Sequence, residues 1–427
     1  MRLRLTGRLL LTAAIAAIAL DGCAYGLVSG RQVDLQRAGR INSDVQELRE
    51  HYFKTEVPIV VMDRAQAQLA MTRVVTGRRD SLAFKRAETV GVLTGLYPPG
   101  TDLQSQTIET LSGQALGFYD PENRRLVLLG PQPRPSLWSR IKAFFGGHDT
   151  RQEAVVAREL THALQDQYFD YSNALNRISD NEDRLLAFRA VVEGDAMLVA
   201  YGYTAGIIDG ETVRELLANV DALKPFAFEA AAAPEALRDS LAFEYREGTR
   251  FVCETYLRGG WSAVNMLYRN PPRSTREVLE PALYFSHAAP PVTIVPAGWQ
   301  QVLAGWREVG EDTYGELLLR AILARNGSAQ AAELARAWRG DRIAALQGAG
   351  QTTVVWIVVT SDAASATALA GAYEPILARN APAPHHVEHR GAAVLALIGP
   401  GALEWRALAP SIWRASAIGA GPYPSAG

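Results

Sequence analysis

The 427-residue chain is 48% hydrophobic and 21% charged, a balance that suits a globular protein with one large core or two smaller ones. Its 43 Lys and Arg nearly cancel 45 Asp and Glu, and the net charge of -2 gives no overall electrostatic case for a nucleic-acid partner. Neither a long low-complexity segment nor a repeat of roughly 20–50 residues is evident.

Residues 1–23 read as an export signal. Arg2, Arg4 and Arg8 make a positive start, and residues 9–20 form an apolar stretch too short to span a bilayer comfortably. It ends in Leu20-Asp21-Gly22-Cys23, which resembles a bacterial lipoprotein box with Cys23 as the lipidated residue, although Asp21 is unusual there. An ordinary cleaved signal and an uncleaved anchor are the other readings. The expected location is the bacterial cell envelope, with the protein held at the membrane through an N-terminal lipid anchor. Cys253 is the only other cysteine, has no partner for an intrachain disulfide once Cys23 carries lipid, and reads as a buried core thiol.

Residues 31–130 are expected to form an N-terminal α+β part. Residues 30–53 are polar and helix-compatible, 57–62 read as a strand, and 64–75 and 81–93 as helices. Tyr97-Pro98-Pro99-Gly100 is a turn signal. Residues 116–119 and 125–129 flank Asp120-Pro121-Glu122-Asn123, the pattern of a hairpin. Residues 131–150 are a Pro- and Gly-bearing insertion around W-S-R-I-K-A-F-F, either a flap near a cleft or membrane or, more plainly, a short helix capping the core. His148 lies here as a solvated loop residue or a remote candidate metal ligand.

Residues 151–290 are expected to be mainly helical and carry the chemistry. Residues 155–170 read V-V-A-R-E-L-T-H-A-L-Q-D-Q-Y-F-D, with Val155, Val156, Leu160, Ala163 and Leu164 forming an apolar stripe at helical spacing. The stretch differs by one residue from H-E-x-x-H, the zinc-peptidase pattern that sets two histidines one turn apart with a glutamate as general base. Glu159 stands at the base position and His162 at the second histidine, but Arg158 occupies the first. A second helical stretch, residues 180–200, holds Glu193 in an apolar run beside Gly194. A carboxylate there is costly to bury uncompensated, which makes Glu193 the candidate third ligand. Pro234 interrupts an alanine-rich stretch, Arg258-Gly259-Gly260-Trp261 marks a turn before another helix, and Asn270-Pro271-Pro272 ends that helix, with Ser274 or Thr275 capping the next.

Residues 300–427 are expected to form a C-terminal α+β part, with helices at 313–325, 329–338 and 364–379 and strands at 352–360 and 392–398. Gly340-Asp341 reads as a turn signal. His385, His386 and His389 follow a proline-rich loop and read as a solvated strand entrance, since their spacing is not that of a helix-face metal pair.

R-E-L-T-H-A-L-Q-D-Q-Y-F-D followed by V-V-E-G-D-A resembles a family of bacterial gluzincin-type zinc-metallopeptidase-like proteins, whose members read H-E-L-x-H-A-L-Q-D-Q and then E-G-D-A. The resemblance extends over most of the chain after the leader, through G-F-Y-D-P-E-N-R-R-L, P-P-R-S-T-R-E-V-L and A-W-R-G-D-R. The helix motif is specific; the other blocks are individually weaker. The resemblance implies a mostly helical α+β fold with a zincin-like core, in which the active-site helix lies beside a β-hairpin edge that can hold an extended peptide. It assigns zinc ligands to positions 158, 162 and 193 and the base to Glu159. Arg158 departs from that pattern, and so does Glu280, where the family is expected to have histidine. A guanidinium has no lone pair and is always charged, so zinc is expected to bind weakly or not at all. Arg158 would instead supply positive charge to Glu193 or to Glu280.

Two functional classes follow. One is an exported metallopeptidase-like protein with impaired or lost catalysis that binds peptides or envelope proteins. The other is a working zinc endopeptidase with a substitute ligand and Glu159 as base. A purely structural lipoprotein is a third.

Overall fold

A computed structural model describes residues 27–29, 31–114, 116–130, 150–222, 233–296, 298–380 and 384–419. The expectations for the export signal, Cys23, the 131–149 insertion and His148 lie outside these residues. The fold is α+β and mostly helical. No helix among the described residues is long and apolar enough to cross a membrane.

A short pair of strands, β1 (Val28–Ser29) and β2 (Gln32–Val33), precedes α1 (Leu35–Arg49). Asp34 starts α1 by accepting the Arg37 N–H on its side chain. Then come β3 (Ile59–Met62), α2 (Arg64–Arg78), α3 (Ser81–Thr94) and α4 (Leu103–Gln114). Asp80 caps α3 at one end, and Gly95, at φ 82°, closes the other in a left-handed conformation open to glycine. The expected hairpin is β4 (Gly117–Asp120) and β5 (Arg125–Leu129). Its turn is held by the Asp120 carboxylate, which accepts from Asn123 N at 3.2 Å, Asn123 Nδ2 at 2.8 Å and Arg125 Nε at 3.0 Å.

Helices follow as expected: α5 (Thr150–Phe169), α6 (Tyr171–Arg177), α7 (Glu182–Ala205), α8 (Gly210–Asn219) and α9 (Glu235–Arg269). The turn expected at Arg258-Gly259-Gly260-Trp261 is a break inside α9. Gly259 (φ -163°, ψ 24°) and Gly260 (φ 59°, ψ -155°) leave helical geometry and the chain resumes it at once. Ser274 caps α10 (Thr275–Leu279), which α11 (Pro281–Phe285) follows.

The C-terminal part contains β6 (Thr293–Pro296), α12 (Trp299–Val302), β7 (Arg307–Asp312), α13 (Gly315–Arg325), α14 (Ala331–Arg336), β8 (Trp338–Gly348), β9 (Gln351–Thr360), α15 (Ala363–Asn380), β10 (His385–Arg390), β11 (Ala393–Ile398), α16 (Ala402–Arg406), α17 (Ala409–Arg414) and β12 (Ser416–Gly419). Two expectations need correction here. The helix read at 329–338 stops at Arg336, and Gly340-Asp341 is not a turn but lies in the 11-residue strand β8. The glycine coincides with a register shift between Trp338 and Gly340 against β9, the place where a glycine in a strand marks a bulge.

Two compact units result. The first comprises Met1–Val74, Ala115–Tyr168 and Ala196–Thr212; the second comprises Val75–Gln114, Phe169–Asp195 and Val213–Gly427. In the first, three strands run in the order β3-β5-β4, with β3 parallel and β4 antiparallel to β5, so β4 is an edge strand. In the second, five antiparallel strands run β10-β11-β9-β8-β7. The continuous apolar run of β9 exists because both of its faces are covered. Val355, Ile357 and Val359 join a cluster with Trp299, Leu395 and Trp405. On the alternate face Trp356 meets Tyr314 and Tyr373 edge-on, at centroid distances of 5.7 and 5.3 Å.

Candidate functional site

The helix motif folds as its periodicity requires. Val156, Leu160, Ala163 and Leu164 of α5 are fully buried. His162 Nδ1 lies 2.8 Å from Gln165 Oε1. An amide oxygen only accepts, so Nδ1 carries a hydrogen. Asp166 Oδ2 accepts the Tyr119 hydroxyl at 3.1 Å. Gln167 Oε1 accepts the Lys54 N–H at 2.7 Å and its Nε2 donates to Thr55 O at 2.9 Å; Tyr168 OH donates to Tyr52 O at 2.7 Å. Thus Asp166, Gln167 and Tyr168 fasten the end of the helix to β4 and to residues 52–55.

The decisive geometry is at Glu159, which is 4% exposed. Its Oε2 accepts the backbone N–H of Tyr119 on β4 at 2.8 Å, and its Oε1 accepts Nη1 of Arg158 at 2.5 Å. Successive residues on a helix do not ordinarily face one another, so the strand N–H holds the carboxylate while the guanidinium folds across to meet it. Arg158 delivers this charged hydrogen bond to its own neighbour in the chain. Sequence reasoning identified the hairpin as an edge beside the helix but missed Tyr119, which reaches α5 through both its backbone N–H and its hydroxyl. The only available signal was its place in G-F-Y-D, shortly before the motif.

Glu193, on α7, belongs to the second unit. Its charge bears on the buried Glu244, whose carboxyl is pushed up to about 7, chiefly by burial and then by Glu193 and Glu182, against the pull of Arg189. The Arg189–Glu244 pair is 3.4 Å long. The rest of E-G-D-A has packing roles. A Cβ on Gly194 would fall 2.2 Å from Gly248 O, so α7 and α9 cross there backbone to backbone. Asp195, fully buried, accepts the Tyr268 hydroxyl at 2.7 Å, and Tyr268 stacks on Phe169 at 4.1 Å.

Glu280 sits between α10 and α11. Among the described residues, the guanidiniums that reach it are Arg336 at 3.3 Å and Arg276 at 3.8 Å, both in its own unit. His385 and His386 open β10 and His389 follows within it; His386 Nε2 is 2.9 Å from Glu388 Oε2 and His385 Nε2 is 3.5 Å from Glu374 Oε1. Cys253 is a buried free thiol, as expected.

The residues at positions 158 and 159 do not fit a catalytic zinc. Position 158 offers a cation without a lone pair, and each oxygen of Glu159 already accepts one hydrogen bond, one from that cation and one from the strand N–H. A general base needs an oxygen turned toward the water it deprotonates. Among the described residues no group of three or more His, Cys, Asp or Glu is arranged to hold a metal ion.

Residues 300–401, from α12 through β11, match the model of a domain of unknown function, DUF8575. No curated protein and no solved structure matches the chain.

Proposed function

We propose that the chain is an exported, metallopeptidase-like envelope protein descended from a zinc endopeptidase, with catalysis impaired or lost and a peptide- or protein-binding role retained. The observation that carries this is the double occupation of Glu159 by Arg158 Nη1 and Tyr119 N–H. Arg158 takes the ligand position and satisfies the charge of the former base in one substitution. The binding role rests on β4, an edge strand beside α5, since such an edge accepts an extended peptide through main-chain hydrogen bonds. The bonds of Tyr119 to Glu159 and Asp166 tie α5 to that edge without a metal. In this reading the protein sits at the membrane through lipid on Cys23.

The test is zinc stoichiometry of the purified protein beside Arg158→His, with peptide hydrolysis measured with and without chelator. The native protein is expected to be empty and inactive, and the histidine variant to take up about one zinc, as a restored three-ligand site does. Stoichiometric zinc or chelator-sensitive hydrolysis in the native protein refutes the reading and points to an active endopeptidase with a substitute ligand and Glu159 as base.

A further inference from the structure

The first turn of α7 lies in a concentration of acid within the second unit. Asp183 on α7, Glu316 on α13 and Asp341 on β8 are buried at 0%, 5% and 4% exposure. Glu182 on α7 and Asp312 at the end of β7 are half-buried beside them. The positive groups answer only part of this charge. Arg79 pairs with Glu182 at 2.6 Å and Arg276 of α10 lies 3.6 Å from Glu316.

Asp183 is the centre of the junction. Its backbone N–H donates to Thr313 O at 3.0 Å, and its Oδ1 accepts both the N–H and the hydroxyl of Thr275, at 2.8 and 2.5 Å. Thr275 Oγ1 in turn accepts the Leu317 N–H at 3.3 Å. Gly315, at φ +71°, presses so close that a Cβ there would lie 1.8 Å from Asp183 Oδ1. From the other side Asp341 grips the same turn, accepting Tyr314 N at 3.0 Å and Gly315 N at 2.9 Å, with the indoles of Trp338 and Trp356 at 2.8 and 2.9 Å. Asp341 therefore has four donors for its two oxygens. Asp183 has donors on one oxygen alone; its Oδ2 is buried and reaches no hydrogen-bond partner. A bare carboxylate oxygen in that position is costly. A proton on Oδ2 removes the charge and leaves Oδ1 free to accept from Thr275 as before.

We propose that Asp183 is a proton-locked clasp. Protonated, it ties α7 to α10 and to the turn at residues 313–315; deprotonated, it loosens that junction. The clasp joins the helix carrying Glu193 to the segment that matches DUF8575, so the state of one proton is coupled to both, and this holds whether or not the peptidase reading does. Burial first, then the like charges of Asp341 and Glu316, push the Asp183 carboxyl up to about 7 against the Thr275 hydrogen bonds. Glu316 is likewise pushed up to about 7, by burial and then by Glu280, against Arg276, Arg336 and Arg320. Glu182 goes the other way: burial opposes its ionisation, but the charge and hydrogen bond of Arg79, with Arg189, hold it below the usual carboxylate range. The sign is then fixed. An opened junction returns Asp183 to water and a carboxyl pKa of about 4, so the clasp is tightest below about pH 4, weakens as pH rises to about 7, and changes no further above that.

Hydrogen exchange of the full chain across about pH 5 to 8, corrected for the chemical exchange rate, tests this. In peptides covering the start of α7, α10 and the start of α13, local opening is expected to rise about ten-fold per pH unit between about 5 and 7 and then level off, while β9 and β11 stay flat. Asp183→Asn, which keeps an Oδ1 acceptor without a titratable proton, is expected to remove the Asp183 part of the pH dependence and leave only the shallower one that Glu316 supplies. If that variant fails to fold, Thr275→Val serves instead: losing a hydroxyl that favours the carboxylate is expected to move the transition to higher pH. Protection in the native protein that does not change with pH overturns the proposal, as does an unshifted transition in whichever variant folds.

Discussion

The Arg158–Glu159 pair makes a quantitative prediction. The two side chains are 14% and 5% exposed, so they form a buried ion pair rather than a surface one. Removing one partner of such a pair leaves an uncompensated charge and typically costs about 3–5 kcal/mol. Arg158→Ala is expected at the low end, about 3 kcal/mol, because the Tyr119 N–H still holds the other Glu159 oxygen. Glu159→Ala strands that N–H and the guanidinium and is expected to cost about 3 kcal/mol or more. Glu159→Gln keeps an acceptor for the strand and is milder. The double Ala variant has no ion to leave unpaired at either position, so it should cost less than the sum of the single changes by about 2 kcal/mol. Urea unfolding followed by far-ultraviolet circular dichroism measures all four, provided the m-values agree. Additive single changes, with coupling below about 0.5 kcal/mol, would refute the claim that these two residues satisfy one another.

Two other consequences can be checked independently. Gly194→Ala places a methyl 2.2 Å from Gly248 O and 2.4 Å from Gly248 C, backbone atoms that cannot rotate away, so α7 and α9 must separate. We expect a loss of about 1–3 kcal/mol, read as a lower melting temperature, and an unchanged melting point would show that the crossing is not tight. Cys253 is fully buried, and burial followed by the charge of Glu254 pushes its thiol up to about 12. It is expected to resist maleimide in the native protein at neutral pH and to react fully in denaturant; rapid native labelling would contradict its placement.

Much of the architecture was legible because it is written in local periodicity. The apolar stripe of α5 at three- and four-residue spacing, the hairpin around Asp120-Pro121-Glu122-Asn123, Ser274 as a cap and the strand at β9 all follow from side-chain patterns a few residues long. The failures have a common physical origin. Gly340-Asp341 looks like a turn in isolation, yet β8 continues through it because strand pairing absorbs the glycine as a bulge and Asp341 spends its carboxylate on four donors. The close crossing of Gly194 on the backbone of Gly248 could not be read from E-G-D-A, because Gly248 comes from a helix dozens of residues away.

The sequence by itself determined the mostly helical α+β character, the helix that bears Arg158, Glu159 and His162, and the departure from a zinc-ligand pattern at position 158, since each depends only on residue type and spacing. Tertiary structure alone decided what those residues do with their charges. It brought the Tyr119 N–H to Glu159, gave Glu280 to Arg276 and Arg336, and surrounded Asp183 with acids and a single pair of donors. A charge is compensated by whatever lies within a few ångströms of it, and that neighbourhood is assembled from segments far apart in the chain.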